Sequence, residues 1–310
     1  MRALPPRNEI TICFAHAAYR LGDRFALRNA GLDWFEVRTL DDLRARVGEC
    51  NVLLVSGLWR NELITDAHKL AFVQSISAGT DQFSRDAFRS AGIRLASAQG
   101  ANERAVAEHA IALILAIARH IPEARDNQAA KKWRGMVGEI ARREDELGGK
   151  TLVIVGIGRI GSRLATLAKA FDMRVLGVGR NDNLLEALPL ADFVALTCPL
   201  TPQTEGILDA TAFAAMKPSA YLVNVARGKV VDEPALIHAL NEKRIAGAAL
   251  DCVHEEPLPA ASPLWAMPNV LITPHTAGET QRYEDGVIDL LLENLERLWR
   301  GETTLRNQIV

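Results

Sequence analysis

Cysteine is scarce. Only Cys13, Cys50, Cys198 and Cys252 occur in 310 residues, with no CxxC pair and no histidine at metal-ligand spacing. That gives neither a disulfide framework nor a zinc pattern, so no metal is expected and a reducing, cytoplasmic setting fits. An excess of one charge is also missing: 36 basic against 38 acidic side chains leave a formal net charge of -2. Without a basic face there is no electrostatic footprint for nucleic acid or an anionic membrane. No apolar run reaches the roughly 18 residues of a membrane span. The opening MRALPPRNEITICFAHAA places prolines and charges before a short apolar strand, unlike a secretory leader. The expected partners are a small molecule and a second copy of the chain.

What is present is apolar material, 48% of the residues, enough for two cores. In the first third, short apolar runs alternate with polar helical stretches: Ile10 to Ala15, Trp34 to Val37, Val52 to Ser56, Phe72 to Ser75 and Ile93 to Ala96. This rhythm predicts parallel strands joined by helices. Residues 102 to 120 then predict a long helix capped by Asn102, apolar nearly all round and so expected between domains or subunits. A polar stretch containing Trp133 follows. A second series has strands at Thr151 to Val155, Arg174 to Val178, Phe193 to Thr197, Tyr221 to Val225, Ala246 to Leu250 and Val270 to Thr273. Asp285 to Trp299 predicts an amphipathic helix returning to the first domain. The expectation is an α/β protein of two Rossmann-like domains with parallel sheets. Residues 1–101 and 285–310 would form a flavodoxin-like substrate domain, and 102–284 a dinucleotide-binding domain. The apolar helix and the Trp133 arm, exposed in a monomer, predict a homodimer.

Within LVIVGIGRIG a buried strand enters Gly156-x-Gly158-x-x-Gly161 and then a helix. In that setting the glycines allow a tight turn, close approach of backbone to a pyrophosphate, and packing of helix on strand. Gly156, Ile157, Gly158, Arg159, Ile160 and Gly161 are therefore the expected phosphate cradle, although a lone GxGxxG also occurs as a plain connection. About 20 residues on, an NAD-specific fold would carry an acidic residue for the ribose. Gly179 stands there, followed by Arg180, while Asp182 comes late in the turn. Arg180 suits a 2′-phosphate, which favours NADP(H) over NAD(H), the alternative being a solvated loop charge.

Three further loops each follow a predicted strand of the second series and carry Arg227, Glu256 and His275. Reducing a 2-keto acid creates an alkoxide that needs a proton, beside a carboxylate that needs a cation. A histidine with a carboxylate partner and an arginine meet both needs.

Taken together, SISAGTDQF, NERAVAEHAIALILAIAR, LVIVGIGRIG, TCPLTPQTEGIL, VNVARGKVVDE, GAALDCVHEEPLP and PNVLITPHTAG resemble the D-isomer-specific 2-hydroxyacid dehydrogenase family over nearly the whole chain. The resemblance implies that His275 donates the proton, that Glu256, which precedes proline as Glu255 does not, keeps His275 protonated, and that Arg227 binds the substrate carboxylate. It implies that Asp251 contacts the nicotinamide carboxamide and that Ala78 and Gly79 offer backbone N–H groups to the substrate. Cys198 and Pro199 would cover the adenosine side or serve only to shape a turn. Val225, Ala226, Ala277, Gly278 and Val106 would complete the cofactor site. The implied activity interconverts a small 2-keto acid, such as glyoxylate or hydroxypyruvate, and its D-2-hydroxy acid. Leu58, Trp59, Arg60 and Trp265 are candidates for setting substrate identity. A cofactor-sensing, corepressor-like binding protein and a formate or phosphite oxidase are the alternatives. One departure stands out: only NDNLLEALPL follows Arg180, where the family has a longer excursion with an extra strand.

Overall fold

Strands that are apolar at successive positions must be covered on both faces, and parallel sheets flanked by helices provide that cover. A computed structural model describes residues 1–310, which separate into two units: Met1–Asn102 with Thr280–Val310, and Glu103–Glu279.

The first unit has strands β1 (Thr11–Ala15), β2 (Asp33–Val37), β3 (Val52–Val55), β4 (Phe72–Ser75) and β5 (Arg94–Ala96). All are parallel, in the order β2-β1-β3-β4-β5, the flavodoxin-like arrangement. Helices α1 (Leu21–Ala26), α2 (Leu40–Arg46) and α3 (Arg85–Ala91) connect them. Thr39 and Ser84 cap α2 and α3 through their hydroxyls. Because side chains alternate across a strand, Ile12, Phe14, Val52 and Leu54 enter one core, while Cys13, Leu53 and Val55 enter the other. Trp59, expected near the substrate, belongs to the second core: it is 1% exposed and packs on Phe83 and Phe88.

The C-terminal helix, Tyr283–Trp299, covers the first core with Val287, Ile288, Leu291 and Leu295. A buried polar contact fixes its register. Asn294 donates to Gln74 Oε1 on β4 at 3.0 Å and to the Arg306 carbonyl at 3.2 Å, and accepts from the Arg306 N–H at 2.8 Å.

The second unit opens with α4 (Glu103–Ala118) and α5 (Ile121–Ala129), bent by 67° at His120, which has φ 50. No single helix is long and apolar enough to cross a membrane. One face of α4 is buried within its own unit. Val106, Ala107, Ala110, Ile111, Leu113, Ile114 and Ala118 enter the core of its own unit, with Leu152, Ile154 and Leu164. The sheet comprises β6 (Thr151–Val155), β7 (Arg174–Val178), β8 (Phe193–Leu196), β9 (Tyr221–Asn224), β10 (Gly247–Leu250) and β11 (Val270–Ile272), in the parallel order β11-β10-β9-β8-β6-β7. The intervening helices are α6 (Arg159–Ala170), α7 (Leu184–Ala187), α8 (Ala210–Ala215) and α9 (Glu233–Asn241). The winding direction reverses between β6 and β8, which opens a crevice at their carboxyl ends.

β7 is an edge strand. The short stretch after Arg180 closes on itself: Asn183 caps α7, a 3-10 turn at Leu188–Leu190 follows, and Leu184 and Leu188 pack into the core before β8 begins.

Replacing Asn294 with leucine leaves Gln74 Oε1 and the Arg306 backbone without buried partners. At about 1–3 kcal/mol for a stranded polar group, Asn294→Leu should lower the urea midpoint of unfolding measurably. An unchanged midpoint would remove Asn294 as the fastener of the C-terminal helix.

Candidate active site

The phosphate turn is shaped by contacts that exclude side chains. Gly156 has φ 99, and a Cβ there would lie 2.6 Å from Cys198 backbone atoms. At Gly161 a Cβ would lie 2.2 Å from the Gly156 carbonyl oxygen, so α6 could not approach β6. Gly158 faces open space at the N-cap of α6, and no side chain caps that helix. Its first N–H groups are therefore available to an anion, and the cradle fits a dinucleotide pyrophosphate. Ile157 and Arg159 are exposed beside it, and Ile160 is half-buried.

The other expected cofactor residues lie at several depths. Cys198 is buried with its backbone against Gly156, its thiol pushed up to about 11 by burial, while Pro199 is exposed. Val225, Ala226 and Ala277 are buried at the carboxyl ends of β9 and β11, and Gly278 is half-buried. Val106 is buried in a cluster that also contains Val225 and Ala277. Arg180 is exposed in the turn after β7, where Asp182 Oδ2 accepts the Gly179 N–H at 2.7 Å. A carboxylate thus folds back to the place where the sequence has glycine.

Arg227, Glu256 and His275 follow β9, β10 and β11, so they share the carboxyl edge of the second sheet. Asn224, at the end of β9, staples two of their loops. Its amide donates to the Arg227 and Cys252 carbonyls at 3.0 and 3.5 Å, and its Oδ1 accepts the Ala226 N–H. The loops approach so closely that a Cβ on Gly228 would lie 1.8 Å from the Val253 carbonyl oxygen. Arg227 Nη1 donates to the Ala226 carbonyl at 2.7 Å.

Asp251 builds the histidine loop. It is 2% exposed and accepts three hydrogen bonds: from the Thr273 hydroxyl at 2.6 Å, the Thr276 N–H at 3.0 Å and the Ala277 N–H at 3.1 Å. His275 sits inside that clamp at φ 55, a left-handed conformation that costs a non-glycine residue about 1–2 kcal/mol. The Thr273 hydroxyl has one proton and gives it to Asp251, so His109 Nε2 is the donor in its 3.0 Å contact with Thr273 Oγ1.

The clamp aims His275 Nδ1 at Glu256 Oε2, 2.6 Å away, while Glu256 Oε1 accepts the Val253 N–H at 3.1 Å. The imidazole is pushed up to about 10 by its contacts with the Cys252 sulfur and the Glu256 carboxylate, against the opposing effect of burial. Burial is the largest single influence on the Glu256 carboxyl and would raise it, but the hydrogen bond and charge of His275, the Val253 N–H and the Arg227 charge together outweigh it and hold Glu256 below its ordinary value. With Nδ1 engaged, Nε2 is the nitrogen left to face a ligand. A cavity of about 600 Å³ opens here, lined by Asp251, Glu256 and His275 and walled by Pro257, Leu258, Trp265, Ile272 and Pro274.

Ala78 and Gly79 lie in the loop after β4 of the first unit, where Ser75 Oγ accepts the Ser77 N–H and donates to the Ser77 carbonyl. Sequence reasoning missed Asn224, Thr273, His109 and Cys252. The available signal for the first two was a polar residue at the carboxyl end of an otherwise apolar strand. His109 had no comparable mark inside its helix.

Fold and loops together define an α/β protein with a nucleotide-binding sheet and an imidazole–carboxylate pair at its carboxyl edge. Residues 111–277 match the D-isomer specific 2-hydroxyacid dehydrogenase, NAD binding domain. The chain is 35% identical over 291 residues to a glyoxylate reductase from Pyrococcus furiosus, covering 87% of this chain and 86% of that one. It is 34% identical over 285 residues to a D-3-phosphoglycerate dehydrogenase from Methanocaldococcus jannaschii, covering 85% and 52%. It thus spans about half the length of the phosphoglycerate dehydrogenases it matches first. A crystal structure of a Thermus thermophilus protein superposes with a TM-score of 0.85 at 33% identity, covering 97% of this chain and 100% of that one. The chain belongs to the D-isomer specific 2-hydroxyacid dehydrogenase family.

A histidine titration followed by NMR tests the pair directly. His275 should keep its second proton well above the ordinary value of 6.5, and Glu256→Gln should move the titration back toward it. A midpoint that ignores the substitution would show that Glu256 does not hold that proton.

Proposed function

We propose that this protein is an NAD(P)-dependent oxidoreductase that interconverts a small 2-keto acid of the glyoxylate or hydroxypyruvate kind and its D-2-hydroxy acid. The observation that carries this reading is the 2.6 Å His275–Glu256 hydrogen bond on the same sheet edge as Arg227. Bound nicotinamide supplies the hydride for reduction and receives it in the reverse direction. Arg227 offers a planar set of donors to the substrate carboxylate. His275 presents a proton from Nε2 to the carbonyl oxygen, and Glu256 holds the ring oriented through Nδ1. For Asp251 the clamp on the His275 loop supports a positioning role in addition to the cofactor contact. The family pattern supports substrate contact at Ala78 and Gly79. It also supports a substrate role for the first unit and a cofactor role for the second.

The end-to-end alignment with a glyoxylate reductase, against half-length alignment with phosphoglycerate dehydrogenases, favours a small substrate. Arg180, exposed beside an edge strand, favours NADP(H) over NAD(H), with the Asp182 carboxylate as the opposing charge. Four free, buried thiols suit the cytoplasm.

Reduction requires a protonated His275. Its activity should hold through neutral pH and fall as pH climbs through the raised histidine value, while oxidation gains over the same range. In an assay of NADPH consumption with a panel of 2-keto acids, at least one should turn over. His275→Gln should cut kcat/KM by about 10²–10⁴, the usual worth of a general acid. In the same assay Arg180→Ala should raise KM for NADPH and leave KM for NADH in place. No turnover with any 2-keto acid would sink the reading, and an unmoved coenzyme preference would sink the NADP assignment alone.

A homodimer also belongs to this reading. Trp133, Met136 and Ile140 are 98%, 104% and 79% exposed on the irregular stretch after α5, a run of apolar surface that a second copy would cover. Light scattering should return twice the 33.9 kDa chain mass, and the double substitution Trp133→Glu with Met136→Glu should return the single mass. A wild-type monomer would end the proposal.

A further inference from the structure

The His275–Glu256 pair has a third neighbour, to which the proposed chemistry gives no step of its own. Cys252, 2% exposed, lies at the start of the glutamate loop, and its sulfur, a Glu256 carboxylate oxygen and a His275 ring nitrogen all lie within 4.8 Å of one another. Sulfur, imidazole nitrogen and carboxylate oxygen form a donor set suited to zinc, whereas magnesium and calcium prefer oxygen alone. The thiol forms the floor, and Glu256 and His275 form the mouth, with side chains 37% and 43% exposed. Little must move for a cation to settle there. Glu256 is anchored through Oε1 by the Val253 N–H, which leaves Oε2 pointing inward, and the sulfur has a 3.5 Å contact with the Ala226 carbonyl to give up beside its contact with His275.

We propose that Cys252, Glu256 and His275 form an inhibitory site for a thiophilic divalent cation, zinc foremost. Binding needs no oxidant or reductant. The cation displaces the thiol proton and the Nδ1 proton, both of which pass to solvent, and Glu256 Oε2 changes from accepting the Nδ1 proton to ligating the metal. Water completes a four-coordinate shell. With Nδ1 bound to metal, releasing the Nε2 proton would leave an imidazolate, so the ring stops acting as an acid at neutral pH. The phosphate cradle around Gly156 to Gly161 takes no part in this, so the loaded protein should still bind its nucleotide.

Inhibition rests on the reductase reading, but the site itself does not, and the test separates the two. Cobalt(II), added to the intact chain in place of zinc, should give a thiolate-to-metal absorption band. The band should vanish in Cys252→Val, although the other three thiols remain. In the reductase assay zinc should inhibit, a chelator should restore activity, and Cys252→Val should keep measurable turnover in chelator, against which its own zinc sensitivity is read. Losing a ligand should cost at least what losing an outer-shell partner does, about tenfold in the half-inhibiting zinc concentration. Cys252→Ser, checked for folding by circular dichroism, replaces the valine variant if that one does not fold. Absence of the band in the wild-type chain, or equal zinc sensitivity with and without the thiol, overturns the site. A band without any reductase activity would keep the site and overturn the activity.

Discussion

Burying a carboxylate at the end of a central strand costs several kcal/mol unless donors surround it. Asp251 is buried there, and the donors it gathers are the Thr273 hydroxyl and the Thr276 and Ala277 N–H groups. They come from one short stretch of chain, and satisfying Asp251 forces that stretch into a loop around its charge. The left-handed backbone of His275 follows, and with it the direction of the imidazole. A solvated residue at 251 would leave the loop without a reason to close, so the chemistry at Glu256 depends on an anion that need not touch substrate.

The same logic of close approach runs along the carboxyl edge of the sheet. Gly156 lies against Cys198, and Gly228 lies against Val253, each pair joining loops from neighbouring parallel strands. Asn224 adds polar stitches between the β9 and β10 loops. The edge is thus a set of mutually supported turns, which suits groups that must hold position to a fraction of an ångström.

The strands were plain in the sequence because parallel strands buried on both faces read as continuous apolar runs, and runs such as Val52 to Val55 and Phe193 to Leu196 lie within a residue of where they were expected. The glycine turn was readable because its three constraints fall within six residues. Trp59 misled: an aromatic beside an arginine in a loop looks like a ligand contact, whereas its indole is packed on two phenylalanines. The supports of the site were silent for a different reason. Thr273 and Asp251 are 22 positions apart, and Cys252 and His275 lie on loops after different strands. Only the pairing of β10 with β11 brings them side by side. Spacing in one dimension carries no trace of that register.

The first unit is interrupted by the second. Its last helix is the one that places Asn294 on Gln74, and Gln74 is wholly buried on β4. On a ribosome the strands of the first sheet emerge early, with one apolar face and one amide left waiting while all of Glu103–Glu279 is made. At typical synthesis rates that delay is on the order of ten to forty seconds. The second unit, continuous in the chain, has everything it needs as soon as it is free of the exit tunnel. The order of synthesis is therefore the reverse of the order of completion, and the nascent chain's exposed first sheet is the surface that a holding chaperone would meet.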